Sequence, residues 1–437
     1  MTMTTNTQNR PDIIYIVADD LGSADLGCYG GDPAVSPAID RLAAEGLRFT
    51  TAYANSPVCS PTRFALITGR WQYRLRGAAE EPLGRRSDTL GLPPEHPTLP
   101  SLLRDAGYAT ALAGKWHLGY APAFGPLKSG YQEFFGPMGG AVDYFSYLNF
   151  GGQRDLWDGA APSAAEGYLT DLVSERAAAF VARDRGAQPY FLSVHYTAPH
   201  WPWEDREGGR RESQRIGADI GHLDGGSIEV YRRMIRQMDE GIARILAAIP
   251  APRRADTLVV FTSDNGPVVD DGYQDEAVAK LGEHRPAGPL RGGKGTAFEG
   301  GTREPFIVRW PKHVPAGKTS GALVGQIDLL ASLAALTGQK LPNQAAPDSV
   351  DVLPALLGES EKGRKTLVEQ GRNIALRQDE WKYIEPAKQK AGGESKPQLF
   401  NLGDDLAEEH NLAKRHPEKV KEMSSLLEEI RQSGRMP

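Results

Sequence analysis

Acidic and amide side chains follow two predicted strands of this 437-residue chain, at the point where each strand ends. Asp19 and Asp20 come directly after a nearly continuous apolar run, and Asp264 and Asn265 come just after another. Because ligands of open parallel sheets gather outside the carboxyl ends of the strands, these four oxygen-bearing side chains are expected around one point. Three crowded carboxylates repel one another, and a hard divalent cation relieves that repulsion. The pattern predicts a metal site, with calcium favoured and magnesium as the alternative.

Both pairs also have a purely structural interpretation. Asp19 and Asp20 could cap the helix that follows them, and Asp264 and Asn265 could belong to a simple turn. Taken singly, each pair fits the structural interpretation better. The metal site is favoured only in combination with the residues described next.

Cys59, Pro61 and Arg63 stand at alternate positions immediately before an apolar stretch, Phe64–Ile67. Proline suits the first turn of a helix, so a helix is predicted to begin near Cys59. Arg63, four residues further on, then returns to the same helical face as Cys59. The positive end of the helix dipole would favour negative charge that develops at residue 59.

Basic side chains occur at further strand ends. Lys115 and His117 follow one predicted strand, His200 follows another, and Lys294 stands among glycines that let the backbone approach closely. Lysine can hold anionic oxygens as a point charge, and histidine can exchange a proton near neutral pH. His195, inside a predicted strand, is expected to be a satisfied core residue.

Together these segments resemble the type I sulfatases, an arylsulfatase-like branch of the alkaline phosphatase superfamily. The resemblance rests on the Cys59–Arg70 segment, on the two metal-binding pairs in the same chain order, and on the segments around Lys115, His200 and Lys294. It spans most of the chain. One departure is Phe64, because many members carry a small residue after the arginine.

In that family a maturation enzyme oxidises the cysteine to formylglycine, and the hydrated aldehyde is the nucleophile for sulfate-ester cleavage. The resemblance implies that Cys59 is modified in this way and that an oxygen of the modified side chain completes the metal site. The metal ligands that it implies are Asp19, Asp20, Cys59, Asp264 and Asn265. The catalytic residues that it implies are Cys59, Arg63, Lys115, His117, His200 and Lys294, of which Lys115, His200 and Lys294 also bind the substrate.

The implied reaction is the hydrolysis of an aryl or carbohydrate sulfate ester to an alcohol and inorganic sulfate. One hydroxyl of the hydrate attacks sulfur and expels the alcohol, which forms a covalent sulfo-enzyme. His200, together with Lys294, protonates the leaving oxygen. His117 then takes a proton from the second hydroxyl, so that sulfate is eliminated and the aldehyde forms again.

Two other activities remain open at this point. A phosphonate monoester or phosphodiester hydrolase of the same superfamily could share the metal site and even the modified cysteine. If Cys59 is unmodified, the chain would be a non-catalytic binder of sulfated glycans. Trp201 and Trp203 could stack on a sugar or aryl ring, or they could pack in the core.

The elements that must position these residues follow an α/β pattern. Apolar strands alternate with helices, which favours a large, mainly parallel sheet with helices on both faces. The resemblance implies an alkaline-phosphatase-like sandwich with a small C-terminal antiparallel subdomain. Three regions are predicted: a polar tail (1–10), a catalytic domain (11–340) and the C-terminal subdomain (341–437). Predicted strands cover 12–18, 108–113, 190–196, 257–262, 306–310, 373–384 and 398–402, and predicted helices cover 36–45, 98–106, 171–183, 227–248 and 416–432.

Composition restricts the partners and the compartment. A net charge of −6 gives no reason to expect nucleic acid, and no apolar run reaches the roughly 18 residues of a membrane span. The first ten residues lack the apolar segment of a signal peptide. The chain as written is therefore expected in the cytoplasm, or in the periplasm or outside the cell if a signal was removed. Two cysteines, Cys28 and Cys59, do not indicate a disulfide framework, and nothing indicates the oligomeric state.

Overall fold

The computed structural model describes residues 10–71, 74, 86–94, 96–208, 227–268, 282–342, 345–387 and 395–434. The strands are β1 (Asp12–Ala18), β2 (Leu47–Phe49), β3 (Ala52–Tyr53), β4 (Ala109–Gly114), β5 (Glu133–Gly136), β6 (Trp157–Asp158), β7 (Ala161–Pro162), β8 (Tyr190–His195), β9 (Thr257–Ser263), β10 (Phe306–Arg309), β11 (Lys318–Ser320), β12 (Val324–Gly325), β13 (Thr366–Gln370), β14 (Ile374–Gln378), β15 (Trp381–Ile384) and β16 (Gln398–Asn401). The helices are α1 (Pro37–Ala44), α2 (Cys59–Thr68), α3 (Leu99–Asp105), α4 (Leu169–Val181), α5 (Ile228–Ala248), α6 (Glu299–Thr302), α7 (Leu329–Thr337), α8 (Leu353–Leu356) and α9 (Pro417–Ser433).

The central strand β1 determines where the site forms. Every residue of this strand is buried, and it pairs in parallel with β8 on one side and with β9 on the other. Its continuous apolar sequence requires cover on both faces of the sheet. Since Ala18 and Ser263 are in register, the residues that follow β1 and β9 leave the sheet side by side.

Within the described residues, the large sheet has the strand order β11-β2-β10-β9-β1-β8-β4-β5-β6-β7. The strands from β9 to β5 are parallel, which confirms the prediction of a mainly parallel sheet. Strand β10 is antiparallel to β9 because the chain returns from α6 directly into β10, without a crossover to the far edge of the sheet.

Helices cover both faces of this sheet. On one face, α1, α4 and α5 contribute Ile39, Val173 and Met238 to a core that also contains Ile16 of β1. On the other face, α2, α3 and α7 contribute to a second core that contains alternate residues of the same strand. The two cores explain why β1 is apolar at successive positions rather than at every second one.

A smaller antiparallel sheet follows, formed by β13, β14, β15 and β16 in chain order. Helix α9 packs on it through Met423, Leu427 and Ile430. This arrangement confirms the predicted C-terminal antiparallel sheet. Strand β13 was not predicted, because its buried Glu369 hides the apolar pattern on which the prediction depended.

The other predicted elements agree with the structure to within about two residues at each end, the usual uncertainty of such boundaries. Between its predicted elements the sequence also indicates two long loops, 203–226 and 268–295, and both fall partly outside the described residues. The domain boundary near residue 340 stays a prediction. Cys28 is half-buried and forms no disulfide in the described structure. No helix in the described part of the chain is both long enough and apolar enough to cross a bilayer.

The start of α1 depends on a carboxylate from α5. Ser36 makes no capping bond in the described structure, and Asp239 accepts instead from the backbone N–H groups of Ala38 (2.9 Å) and Ile39 (2.8 Å). These bonds satisfy donors that a helix N-terminus leaves without partners.

Burial raises the pKa of Asp239 to about 6, although its two backbone donors favour the ionised form. An aspartate in an unfolded chain has a pKa of about 3.9. The stabilising contribution of this group is therefore fully present below about pH 4 and is lost as the pH rises through about 6. We expect Asp239→Asn to remove this dependence of stability on pH. The free energy of unfolding of the wild type, relative to that of Asp239→Asn, should therefore fall by about 3 kcal/mol as the pH rises from 4 to 7. Urea unfolding at several pH values measures this difference, and a flat profile would contradict the interpretation.

Candidate active site

The ends of β1 and β9 remain joined beyond the sheet. The Asp264 N–H donates to the Ala18 carbonyl (3.0 Å), and the Asp20 N–H lies 3.4 Å from Asp264 Oδ1. Asp20 has a φ of 63°, a left-handed conformation that aspartate tolerates better than most residues. The predicted convergence of the two strand ends is therefore present in the structure.

Cys59 is the first residue of α2, as predicted, and all ten residues of this helix are buried. Its Sγ lies 3.5 Å from Asp19 Oδ1. Burial raises the pKa of the Cys59 thiol. The unmodified side chain is consequently a protonated thiol at neutral pH, which is a poor nucleophile.

Arg63 connects α2 to both strand ends. Its Nε and Nη2 atoms lie 2.9 and 2.8 Å from Asp264 Oδ2, and Nη2 lies 3.7 Å from Asp19 Oδ2. Its Nη1 donates to the Lys115 carbonyl at 3.3 Å. The guanidinium therefore fixes the positions of α2, β9 and the end of β4 relative to one another.

Two lysines pair with the remaining carboxylates. Lys115 Nζ lies 2.5 Å from Asp19 Oδ2, and Lys294 Nζ lies 2.8 Å from Asp20 Oδ2. With Arg63 and Asp264, the described site contains three cationic and three anionic side chains. The chain itself therefore supplies charge that relieves the carboxylate repulsion, which the sequence pattern assigned to a cation alone.

The charges affect two of the carboxyl groups differently. Burial opposes ionisation of Asp20, but Lys294 and His200 outweigh it and lower its pKa to about 2. Burial and the neighbouring Asp19 raise the pKa of Asp264 to about 6, against the influence of Arg63. At neutral pH both groups are mainly ionised, as ligands of a hard cation must be.

The donor atoms fit such a cation. Asp19, Asp20, Cys59 and His200 each offer a ligand atom, and these atoms lie within 4.8 Å of one another. The Nδ2 of Asn265 donates to Asp20 Oδ1 at 2.7 Å, whereas its buried Oδ1 has no hydrogen-bond partner in the described part of the chain. A buried amide oxygen without a partner, beside an ionised carboxylate, suits a hard cation.

This group of four mutually close ligand atoms differs in part from the predicted set of metal ligands. His200 belongs to the group of mutually close ligand atoms, although it was predicted as a substrate-binding residue. Asp264 lies outside that group, and its Oδ2 instead accepts from Arg63. The assignment of individual ligands stays a prediction.

His200 presents one defined ring nitrogen to Asp20. Its Nδ1 lies 2.5 Å from the Trp201 carbonyl, which can only accept, so Nδ1 carries the proton of the neutral ring. The other nitrogen, Nε2, lies 3.6 Å from Asp20 Oδ2. Burial and the nearby Lys294 lower the pKa of His200 to about 3, so the ring is neutral at pH 7.

His117 lies at the same strand end as Lys115. It has a φ of 59°, and its N–H donates to the Met138 carbonyl at 3.0 Å. A Cβ atom on Gly140 would lie 2.5 Å from His117 Nε2, so the imidazole packs directly on the backbone of residue 140. The predicted role of His117 in proton transfer stays a prediction.

Exposure indicates the side from which a substrate enters. The Lys294 side chain is 13% exposed and that of His200 is 7%, whereas Arg63 and Lys115 are almost fully enclosed. The opening therefore lies on the side of Lys294 and His200. Trp201 does not line this opening, because it is only 1% exposed and belongs to the core.

The packing interpretation also holds for Trp203, which is 5% exposed. Its ring lies 5.0 Å from that of Tyr231, measured between centroids. Both tryptophans beside His200 are core residues in the described structure.

His195 was predicted as a core residue, and its contact with the site was missed. The Lys115 N–H donates to the His195 carbonyl (2.7 Å), and His195 Nδ1 donates back to the Lys115 carbonyl (3.2 Å). Gly114, with a φ of 113°, makes this contact possible, because a Cβ there would lie 1.8 Å from the His195 oxygen. Only the pairing of β4 with β8 reveals these roles.

Replacement of Arg63 tests the charge balance. Arg63→Met leaves Asp264 and Asp19 buried with one cation fewer, and we expect the free energy of unfolding of the chelator-treated protein to fall by about 3–5 kcal/mol. Arg63→Lys keeps the charge but lacks the planar guanidinium, so its free energy of unfolding should decrease by less. Urea unfolding compares the variants, and equal losses would show that shape rather than charge determines the effect.

A family model described as Sulfatase matches residues 11–339 of the chain. The N-acetylgalactosamine-6-O-sulfatase of Bacteroides thetaiotaomicron is 34% identical over 508 aligned positions, which cover 98% of this chain and 94% of the relative. The N-acetylgalactosamine-6-sulfatase of Sus scrofa is 35% identical over 373 positions, which cover 81% and 67%.

A solved structure from work on glycosaminoglycan metabolism by Bacteroides thetaiotaomicron is also similar. It superposes with a TM-score of 0.79 and 33% identity, and the match covers 97% of this chain and all of that one. Such coverage includes the large sheet, the C-terminal sheet and the segments that carry the site. The chain therefore belongs to the sulfatase family of sulfuric ester hydrolases, with the alkaline-phosphatase-like fold.

Proposed function

We propose that this sulfatase acts on sulfated glycans and that the 6-sulfate of N-acetylgalactosamine is its substrate class. The observation that carries the chemistry is the convergence of Lys115, Lys294 and His200 on Asp19 and Asp20. The names of the relatives that cover most of the chain support the choice of sugar. A fold alone would not identify a substrate.

The charges of the site favour a sulfate monoester. Three cationic side chains balance three carboxylates, so a bound divalent cation would give the pocket a net positive charge. A cation held by the aspartates, Asn265 and the modified residue 59 would polarise an oxygen of the sulfate group. Calcium suits this set of hard oxygen donors, among them an amide oxygen.

Residue 59 is the nucleophile in this proposal. Oxidation of Cys59 by a maturation enzyme would supply a hydrated aldehyde, which a protonated thiol cannot replace. Arg63, on the same face of α2, holds this residue through its bonds to Asp264. The N-terminus of α2 adds positive potential where negative charge develops.

In this mechanism, Lys294 and His200 serve the leaving oxygen. Both approach the same atom, Asp20 Oδ2, at 2.8 and 3.6 Å, and both lie on the open side of the site. Lys294 can supply a proton from Nζ, and His200 can supply one from Nε2 once that atom is protonated. The imidazole of His117, beside Lys115, accepts the proton that regenerates the aldehyde.

Release of sulfate from a defined panel tests this function. We expect N-acetylgalactosamine 6-sulfate to be cleaved faster than the 4-sulfate, by about 10-fold or more, because the pocket must position the ester oxygen against residue 59. Aryl sulfate should also be cleaved, and aryl phosphate and phosphonate should be poorer substrates. Ion chromatography measures the sulfate, and a preference for phosphorus esters would contradict the proposal.

Cys59→Ala provides the control for that panel, and it should lower kcat by roughly 10⁴-fold or more, as the loss of a nucleophile does. Cys28→Ser changes the other cysteine and should leave kcat within about 2-fold, as expected away from the chemistry. Intact mass should show that the active protein is about 18 Da lighter than the thiol form. Turnover by Cys59→Ala would contradict the role of this residue.

Thermal unfolding of chelator-treated protein tests the metal. Calcium binds the folded state, so it should stabilise the protein by about 2.7 kcal/mol at 100 times its Kd, and magnesium should have a smaller effect. Asn265→Ala should reduce the calcium effect, whereas Asn149→Ala, in a loop outside the site, should not. An unchanged calcium effect in Asn265→Ala would argue against the amide ligand.

A further inference from the structure

The short helix α6 (Glu299–Thr302) contacts the active site through its backbone. The Gly301 carbonyl accepts from the N–H of Gly266, the residue after Asn265, at 3.0 Å. The Gly300 N–H donates to the Arg291 carbonyl at 2.8 Å. Helix α6 is therefore bonded both to the end of β9 and to the loop that carries Lys294.

The packing between α6 and that loop leaves no room for adjustment. A Cβ on Gly300 would lie 2.6 Å from the Arg291 carbonyl oxygen, and a Cβ on Gly301 would lie 2.1 Å from that of Thr296. The Lys294 N–H donates to the Pro267 carbonyl at 2.8 Å, so the loop is also attached beyond β9. Because backbone touches backbone on these sides, a shift of α6 moves the loop with it.

On its other side, α6 meets a buried cluster of charges from the C-terminal sheet. Lys382, on β15, is completely buried. Its Nζ lies 2.9 Å from Glu299 Oε1, 3.3 Å from Glu369 Oε2 and 3.5 Å from Glu408 Oε1. One ammonium thus holds together three carboxylates from α6, β13 and the segment before α9.

These carboxylates are bonded to α6 or to its neighbours. Glu408 Oε2 accepts from the Glu299 N–H at 2.6 Å, and the Glu408 carbonyl accepts from Arg291 Nη1 at 2.7 Å. Glu369 accepts from the hydroxyl of Thr302. The first and last residues of α6 and the start of the Lys294 loop are therefore held by groups that Lys382 keeps in place.

Two further cations reach Glu299 from other directions. Arg303 Nη1 lies 2.9 Å from Glu299 Oε2, and Arg377 Nη1 lies 4.0 Å from the same oxygen. They do not replace Lys382, because the described ion pairs of Glu369 and Glu408 are with Lys382. Loss of Lys382 would leave those two carboxylates buried without a cation.

We propose that Lys382 is a positioning residue for the sulfate-binding lysine, Lys294, acting through Glu299, Glu408 and the backbone of α6. The inference rests on the proposed role of Lys294 at the sulfate group. It gives the C-terminal sheet a part in catalysis, although none of its described residues touches the aspartates of the site.

A double-mutant cycle tests this coupling in the full-length enzyme, with aryl sulfate as substrate. Lys382→Met and Lys294→Ala should each lower kcat/KM by about 10-fold or more. If Lys382 acts through Lys294, the double variant should lose no more than about 3-fold beyond the worse single variant. Activities are normalised to the fraction of residue 59 that intact mass shows to be modified, so incomplete maturation does not enter the comparison.

Lys115→Arg supplies the matched comparison. Lys115 lies at the end of β4 and, among the described residues, is bonded to Asp19 and His195, not to the Lys294 loop. The loss of kcat/KM in Lys115→Arg should therefore multiply with the loss in Lys382→Met. If Lys382→Met does not fold, the cycle is run in Lys382→Met/Glu369→Gln. That variant removes one cation together with one carboxylate.

Three outcomes would overturn the inference. If the loss of kcat/KM in Lys382→Met multiplies with the losses in both Lys294→Ala and Lys115→Arg, Lys382 only stabilises the fold. An unchanged kcat/KM in Lys382→Met would show that Lys382 does not position Lys294. If Lys294→Ala leaves kcat/KM unchanged, Lys294 has no role at the sulfate group, and this inference fails together with that proposed role. If Lys294→Ala lowers kcat/KM but its effect multiplies with that of Lys382→Met, only this inference fails.

Discussion

Three ion pairs at one edge of the sheet, two of them fully enclosed, constrain the packing of the elements around them. Each joins a carboxylate at the end of β1 or β9 to a cation from a different element: Arg63 from α2, Lys115 from the end of β4, and Lys294 from a long loop. An unpaired charge at this depth would be strongly unfavourable. The packing of α2, the turn at Gly114 and the course of the Lys294 loop are all consistent with this requirement.

The balance of these charges also explains how one pocket can hold a cation and an anion in turn. A site with surplus carboxylates would bind a metal tightly and repel a sulfate ester. A site with surplus lysines would do the opposite. Equal numbers keep the pocket near neutrality, so a bound divalent cation would make it attractive to a monoanionic ester. The Asn265 Oδ1 atom, which has no hydrogen-bond partner among the described residues, would add a ligand to this pocket without adding negative charge.

Local sequence patterns predicted much of this structure. The apolar runs located β1, β8 and β9, and the residues at their ends indicated the site because parallel strands deliver their carboxyl ends to the same edge. Features that depend on contacts between distant segments were missed. Gly114 and His195 meet only through the register of β4 with β8, and Lys382 resembles an ordinary strand lysine until three glutamates from elsewhere surround it. Strand β13 was overlooked for the same reason, since Glu369 is buried by a partner on another strand.

Because every residue of α2 is buried, the stage of synthesis at which this helix becomes enclosed determines how long Cys59 is accessible. Two residues that enclose α2 come late in the chain. Asp264 pairs with Arg63, and Asp348 bonds to the backbone of Gly69 and Trp71 at the far end of the helix. During synthesis at about 5–20 residues per second, roughly 15–60 s separate the appearance of Cys59 from that of Asp348. An enzyme that oxidised this sulfur would have that interval in which to reach it, because Cys59 is only 3% exposed in the described structure.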